Sequence, residues 1–407
     1  MLLSHTKISY NQLDQLPGLP NPQSDLTIVV VIPSFAEASL LPVLHSLKDC
    51  EHPQVSFEII IIINESESVI RSYQEVNEKA FDELSEFEND KLHICCIYVK
   101  EIPDKIAGVG TARRIGMEMA YERIEEAGNL ETGIIVNLDV DCTVSSNYLR
   151  EIHNYFNEYS KIELSNIHFE HNLKTASSLS ERRAIIDYEL HLRYFIGMQK
   201  WLGLPYAFQT IGSAFAVRPI AYKQVGGMNK RKAGEDFYFI HKFTKKGTAG
   251  NLQSCSVFPS SRESFRVPFG TGKAVKQLLK SEEELLTYHP SAFVHLSPLL
   301  KDISELYKNG IANLSEYNSG IRSYLEKENF AEIILKLRSN STVFSTFQKA
   351  FFQWFDAFRL MKYLHHNNAH YCRDIPISEA VNRASNYLGI PEIESKEEQL
   401  NWLRRNY

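Results

Sequence analysis

Two stretches of this 407-residue chain are apolar almost without interruption: Leu26-Thr-Ile-Val-Val-Val-Ile-Pro33 and Phe57-Glu-Ile-Ile-Ile-Ile-Ile63. A strand with one wet face alternates polar and apolar residues. A β-branched run with no polar face must be covered on both sides, as in a parallel sheet sandwiched between helices. Leu40, Leu41, Leu44 and Leu47 follow the first run at helical spacing, and an acid-rich helix is predicted over about residues 68–89. A third strand is predicted over Leu92 to Val99. Then come a glycine-bearing loop, Ala107 to Thr111, a helix from about Ala112 to Ala127, and a strand, Gly133 to Leu138, that delivers Asp139-Val-Asp141. This β-α alternation predicts an α/β fold with a doubly wound, mainly parallel sheet flanked by helices, binding ligands at the carboxyl ends of its strands.

The pattern then changes. Tyr148 to Lys200 reads as mostly helical, Phe208 to Val217 as strand, and Arg262 to Gly272 as a loop rich in Gly, Pro and Arg. Beyond Lys273 the chain reads as helical. The predicted organisation is a lead-in over 1–24, an α/β domain over 25–272 and a helical region over 273–407. In that region Phe344, Phe347, Phe351, Phe355, Phe358 and Met361 recur every three or four residues, with Trp354 beside them. Such a stripe suits a peripheral membrane contact or burial against another domain or a second subunit. Burial is preferred, because the remaining face is not strongly basic.

Composition removes several function classes. Lys and Arg number 44 against 50 Asp and Glu, a formal net charge of −6, which disfavours nucleic acid as a partner. Six scattered cysteines with no CxxC pair build neither a disulfide framework nor a structural zinc site. The first residues lack the apolar core of a signal peptide, and no run reaches the roughly 20 residues of a membrane span. A cytoplasmic protein is expected.

Asp139 and Asp141 are the sharpest local signal. Carboxylates at i and i+2 of an extended segment point to one side, here where a buried strand meets solvent. Hard cations such as Mg2+ or Mn2+ take oxygen ligands of this kind and bridge to phosphates. A solvated turn after a strand can look the same, so the neighbouring motifs must decide.

Those motifs resemble the family 2 glycosyltransferases, which adopt the GT-A fold. Val31-Ile-Pro33-Ser34-Phe-Ala36-Glu37 is similar to that family's opening V-I-P-x-Y-N-E, with Ala36 in place of Asn. Glu58 to Ser66 resembles the second strand, whose usual acid pair at the nucleobase is replaced by Asn64-Glu65. Gly110-Thr-Ala-Arg113-Arg114-Ile-Gly116 resembles G-x-A-R-N-x-G, with Arg114 in place of Asn, and Asp139-Val-Asp141 matches the DxD. Ile211-Gly212-Ser-Ala-Phe and Val225-Gly-Gly-Met resemble the acceptor-side strand and glycine pair, and Gly234-Glu235-Asp236 the late ED motif. The resemblance runs from about residue 26 to 245.

It implies a mixed, mainly parallel GT-A sheet with a helical C-terminal extension. It also implies transfer of a sugar from a nucleoside-diphosphate donor to a hydroxyl acceptor, inverting and dependent on Mn2+ or Mg2+. Asp139 and Asp141 would hold the metal. Pro33, Ser34, Glu37, Asn64, Glu65, Arg113, Asp139, Gly212, Arg262 and Arg266 would bind the nucleotide sugar. Asp236 would be the base, supported by Glu235. A base must lie within hydrogen-bond reach of the acceptor hydroxyl, and a developing diphosphate charge needs fixed positive partners. His241 and His295 are weaker candidates for a further metal ligand, and Trp201, Tyr206 and Phe208 for a sugar-stacking platform; structural roles suit all five at least as well. A retaining transferase, a nucleotidylyltransferase and a non-catalytic scaffold in polysaccharide assembly are the alternatives.

Overall fold

The computed structural model describes residues 2–87, 91–229, 234–260, 271–281, 284–310 and 314–407. Its elements run β1 (Leu2–Ser9), β2 (Leu26–Ser34), α1 (Leu41–Asp49), β3 (Ser56–Ser66), α2 (Arg71–Glu83), β4 (Ile94–Ile102), α3 (Val109–Glu126), β5 (Ile134–Asn137), β6 (Cys142–Val144), α4 (Tyr148–Glu158), β7 (Leu164–Phe169), α5 (Leu179–Trp201), β8 (Phe215–Val217), α6 (Pro219–Gln224), α7 (Glu235–Lys246) and β9 (Ala249–Pro259), followed mainly by helices. Contacts divide the chain into two compact units, Met1–Ala176 with Thr210–Lys273, and Ser177–Gln209 with Ala274–Tyr407. The stretch 177–209, which sequence alone draws into the segment 25–272, therefore groups with the helical residues.

The first unit is built on a nine-stranded sheet of order β1-β4-β3-β2-β5-β8-β7-β9-β6. Pairing is parallel from β1 through β5 and between β7 and β9, and antiparallel at β5–β8, β7–β8 and β6–β9. This is the doubly wound, mixed and mainly parallel sheet that the sequence implies. Every residue of β2 is buried, as its unalternating composition requires. The core interleaves Val29 and Val31, Ile60 and Ile62, and Cys95, Ile97 and Val99 with Ala112, Met117 and Ala120 of α3 and Phe239 and Phe243 of α7. Gly116 makes that approach close: a Cβ there would lie 2.5 Å from Val31 Cγ1. Strand order reverses between β2 and β5, and the carboxyl ends of such neighbours are where an α/β sheet opens a crevice.

β1, β7 and β9 are among the strands that escape the sequence reading. β1 lies within the expected lead-in yet pairs in parallel with β4. It is a half-buried edge strand, and its Lys7 pairs with Glu78 rather than contributing to an apolar run. β7 interrupts the stretch read as mostly helical, and β9 pairs with it. β8 covers just Phe215–Val217 of the strand expected from Phe208.

The second unit is helical. At its centre Glu189, with no exposure, accepts from Arg193 Nε at 2.8 Å and takes a bidentate pair from Arg404 at 2.8 and 2.7 Å. The phenylalanine stripe does not lie on one helix. It is split between Phe344–Trp354 and Ala357–His370, because Phe355 leaves helical geometry and Asp356 caps the next helix, accepting from Arg359 N–H at 2.9 Å. Phe347, Phe351 and Phe355 are buried inside this unit, where Phe347 packs on Tyr307 and Trp354 on Phe330, while Phe344 and Phe358 are exposed. Among the described residues no helix is long and apolar enough to cross a membrane.

Candidate active site

The carboxyl ends of β2, β3 and β5 are neighbours, and they carry Ser34, Asn64-Glu65 and, one residue past Asn137, Leu138-Asp139. Ser34 and Asn137 are buried, and neither Ser34 Oγ nor Asn137 Oδ1 has a hydrogen-bond partner among the described residues. Stranded groups of this kind cost about 1–3 kcal/mol each, so this strand edge carries two polar atoms that a bound polar group would satisfy. Asn137 was not singled out from sequence, though a lone amide in the apolar strand Ile134–Asn137 was a signal. Pro33 and Glu37 are buried in the same turn. Between them Ala36 adopts φ +49°, donating its N–H to Asn77 Oδ1 at 2.7 Å. The left-handed region suits Asn better than Ala, so Ala36 holds this turn under strain.

Glu65 is committed to protein partners. It is 3% exposed, accepts from Tyr98 Oη and from Gln74 Nε2 at 3.2 Å, and has Lys100 Nζ 4.0 Å away. Asn64, also buried, pairs in register with Val99.

Three segments distant in sequence meet at Arg113, which α3 positions one turn from its start. The residue is 3% exposed. Its Nη2 donates to Asp139 Oδ1 at 2.6 Å and its Nη1 to Glu235 Oε1, while its buried Nε has no partner among the described residues. Gly212 lies against the guanidinium: a Cβ on it would fall 2.6 Å from Cζ and from Nη2, and closer still to Nη1. Burial by itself would lower this guanidinium's pKa, but Asp139, Glu235 and Asp236 outweigh it and raise it. Arg114 turns elsewhere, donating to Met228 O at 2.9 Å.

Glu235 and Asp236 open α7 after Gly234, whose φ of +71° glycine accepts without strain. Glu235 is 2% exposed and faces Arg113. Asp236 is half-buried and accepts from Phe237 N–H at 2.7 Å. Burial raises both carboxyls above their usual values; Arg113 opposes the rise, and Asp139 adds to it in each. A half-buried carboxylate so placed is a better proton acceptor at neutral pH than a solvated one.

Asp139 and Asp141 are both half-buried, and Asp139 is the one that Arg113 engages. Among the described residues no three His, Cys, Asp or Glu side chains converge as a metal cage. Mg2+ and Mn2+ do not need one, since one or two carboxylates suffice when a diphosphate completes the shell. The donors fit this: Asp139 and Asp141 supply half-buried carboxylate oxygens, and the Glu235 and Asp236 carboxyls nearby are raised first by burial, with Asp139 adding to it. His241 is buried elsewhere on α7, its Nδ1 3.1 Å from Thr244 Oγ1 and its ring stacked on Phe237. His295, Trp201 and Tyr206 belong to the helical unit, where Trp201 packs on Tyr387. Arg262 and Arg266 lie outside the described residues.

No family model and no curated protein matches this chain. Among solved structures, S. aureus TarS 1–349 in complex with UDP-GlcNAc aligns over 70% of this chain and 74% of its own, at 15% identity and a TM-score of 0.39. The mannosyltransferase PcManGT from Pyrobaculum calidifontis, in complex with GDP-Man and Mn2+, aligns over 84% of this chain and 90% of its own, at 12% identity and a TM-score of 0.35.

Proposed function

We propose that this protein is an inverting glycosyltransferase that moves a sugar from a nucleoside-diphosphate donor to a hydroxyl acceptor with a divalent cation, Mn2+ or Mg2+. The observation that carries the reading is the meeting of Asp139, Arg113 and Glu235-Asp236 at the carboxyl edge of a doubly wound sheet. In sequence these belong to three motifs that together resemble family 2 glycosyltransferases.

On this reading the turn after β2, with Ser34 and Glu37, and the end of β3, with Asn64, border the nucleoside. Asp139 and Asp141 are the residues that would hold the cation, which supplies Lewis-acid stabilisation to a departing diphosphate. Asp236 is the base. The acceptor oxygen attacks the anomeric carbon as the bond to the diphosphate oxygen breaks; the hydroxyl proton passes to Asp236 and the bonding pair leaves with the nucleoside diphosphate. Attack from the face opposite the leaving group inverts the anomeric centre. Burial of Asp236 serves this step by keeping its proton affinity above that of a solvated aspartate.

Calorimetry with UDP-, GDP- and dTDP-linked sugars, with and without Mn2+, tests the reading. Metal-dependent binding that Asp141→Ala weakens is expected. Absence of binding by every one of these donors would overturn it.

A further inference from the structure

We propose that Gly212 and Arg113 act as a positioning pair: the side chain missing at Gly212 leaves the slot in which Arg113 spans from Asp139 to Glu235, so that the cation-side and base-side carboxylates are held as one rigid set. The proposal rests on the glycosyltransferase reading and reassigns both residues, which sequence resemblance alone would place against the nucleotide sugar.

Geometry makes the case. The guanidinium is 3% exposed and directs one Nη to each carboxylate. A planar fork can bridge two acceptors on different elements, which a lysine ammonium cannot do with the same fixed angles. The loop before β8 closes over this fork at Gly212, where any Cβ would fall 2.6 Å from Cζ and Nη2. A contact that short is not tolerated, so one partner must move. The guanidinium tip is normally the cheap one to shift, but here both its Nη groups are bound to carboxylates. Displacing it would release Asp139 and Glu235 together. Glu235 precedes Asp236 on α7, so its anchor also fixes the first turn that carries the base. Placement errors of about 1 Å at reacting groups can cost a hundredfold in rate.

The test is a double-mutant cycle on the full chain with Gly212→Ala, Arg113→Lys and both together. Hydrolysis of UDP- and GDP-linked sugars, with water as acceptor, gives kcat and KM in Mn2+, and UDP and GDP binding is measured by calorimetry. Gly212→Ala should lower kcat by roughly 10- to 100-fold with donor KM little changed, because the reacting groups are misplaced while the donor pocket remains. Lysine lacks both Nη atoms that the new methyl strikes, and its single ammonium, at the place of Cζ, is not forked between two carboxylates and can give way, so the double variant should match Arg113→Lys within about a factor of two. Multiplicative losses, or unchanged kcat in Gly212→Ala, would overturn the positioning pair while leaving the glycosyltransferase reading intact. Should Gly212→Ala fail to fold, Arg113→Lys in the same chain must restore folding, and failure to do so also overturns the pair. A wild-type chain that binds none of UDP, GDP and dTDP and hydrolyses none of the corresponding donors sinks the glycosyltransferase reading itself.

Discussion

Arg113→Met separates the two arms of the site in energy. The Glu235 arm is buried at both ends, with side-chain exposures of 4% and 2%, whereas Asp139 keeps 33% of its side chain exposed. Removing one partner of a fully buried pair leaves an uncompensated charge and costs about 3–5 kcal/mol. Water can reach Asp139, so losing that arm adds at most about 1 kcal/mol. For the sheet-bearing unit the total of about 3–6 kcal/mol corresponds to a fall of roughly 6–24 °C in its melting temperature, at about 2–4 °C per kcal/mol. The choice of probe matters. All three tryptophans, Trp201, Trp354 and Trp402, belong to the helical unit, so indole fluorescence does not report on this substitution directly. Hydrogen exchange in peptides from β5, α3 and α7 follows the right unit. Arg113→Met/Glu235→Leu should regain much of the loss, because no charge is then left buried on the Glu235 arm. A melting point within about 2 °C of wild type for Arg113→Met would refute the buried-pair reasoning.

Asp236→Asn should abolish turnover, by about 10^2-fold or more, while leaving the melting temperature unchanged or higher, since the amide removes a charge whose burial the fold resists. Retained turnover or a lower melting temperature counts against the assignment. The same burial fixes the sign of the pH dependence: Glu235 and Asp236 bind their protons more tightly in the folded chain than in the unfolded one. Their contribution to stability is therefore fully present below the unfolded values and is lost as pH rises through the raised ones. On the proposed reading turnover needs ionised Asp236, so its acid limb should lie above 3.8, the ordinary aspartate value; a limb at or below that value in a pH–kcat profile argues for another base. Gly116→Ala should destabilise by about 1–3 kcal/mol through overpacking against Val31 and Ile62. Urea denaturation followed by circular dichroism checks this, and Val31→Ala in the same chain should recover part of it.

What the sequence made legible follows physical lines. β2 and β3 were readable because full burial on two faces leaves no choice of residue, so composition alone betrays the environment. β7 and β9 carry Ser165, Asn166, Gln253 and Ser254 amid their apolar residues, and their register shifts between Ile167 and His168. Neither keeps the period of two that marks a strand. β1 is a half-buried edge strand whose residues obey no strict pattern. The phenylalanine stripe keeps its spacing across Phe355-Asp356 although the backbone does not. Spacing registers which residues are apolar, whereas the break depends on Asp356 using its carboxylate as a cap.

At the site, the sequence singled out Arg113, Asp139 and Glu235, which the fold brings together, but not which way the side chains face. Arg113, Gly212 and Glu65 each have the chemistry of a ligand contact, and each is turned toward protein: Arg113 to two carboxylates, Gly212 to Arg113, and Glu65 to Tyr98 and Gln74. Residue type constrains what a side chain can bind, and only packing decides what it does bind. The consequence is electrostatic. With Arg113 occupied, Asp139, Glu235 and Asp236 leave this edge of the sheet short of positive charge, in a chain whose net charge is already −6. A nucleoside diphosphate brings more negative charge, so on the proposed reading the cation must offset both the pocket and the donor. Donor and cation then bind as coupled ligands, and by linkage each must raise the other's affinity by the same factor. On that reading Arg113 is spent on the protein's own carboxylates, and the charge that the diphosphate needs would come with the cation.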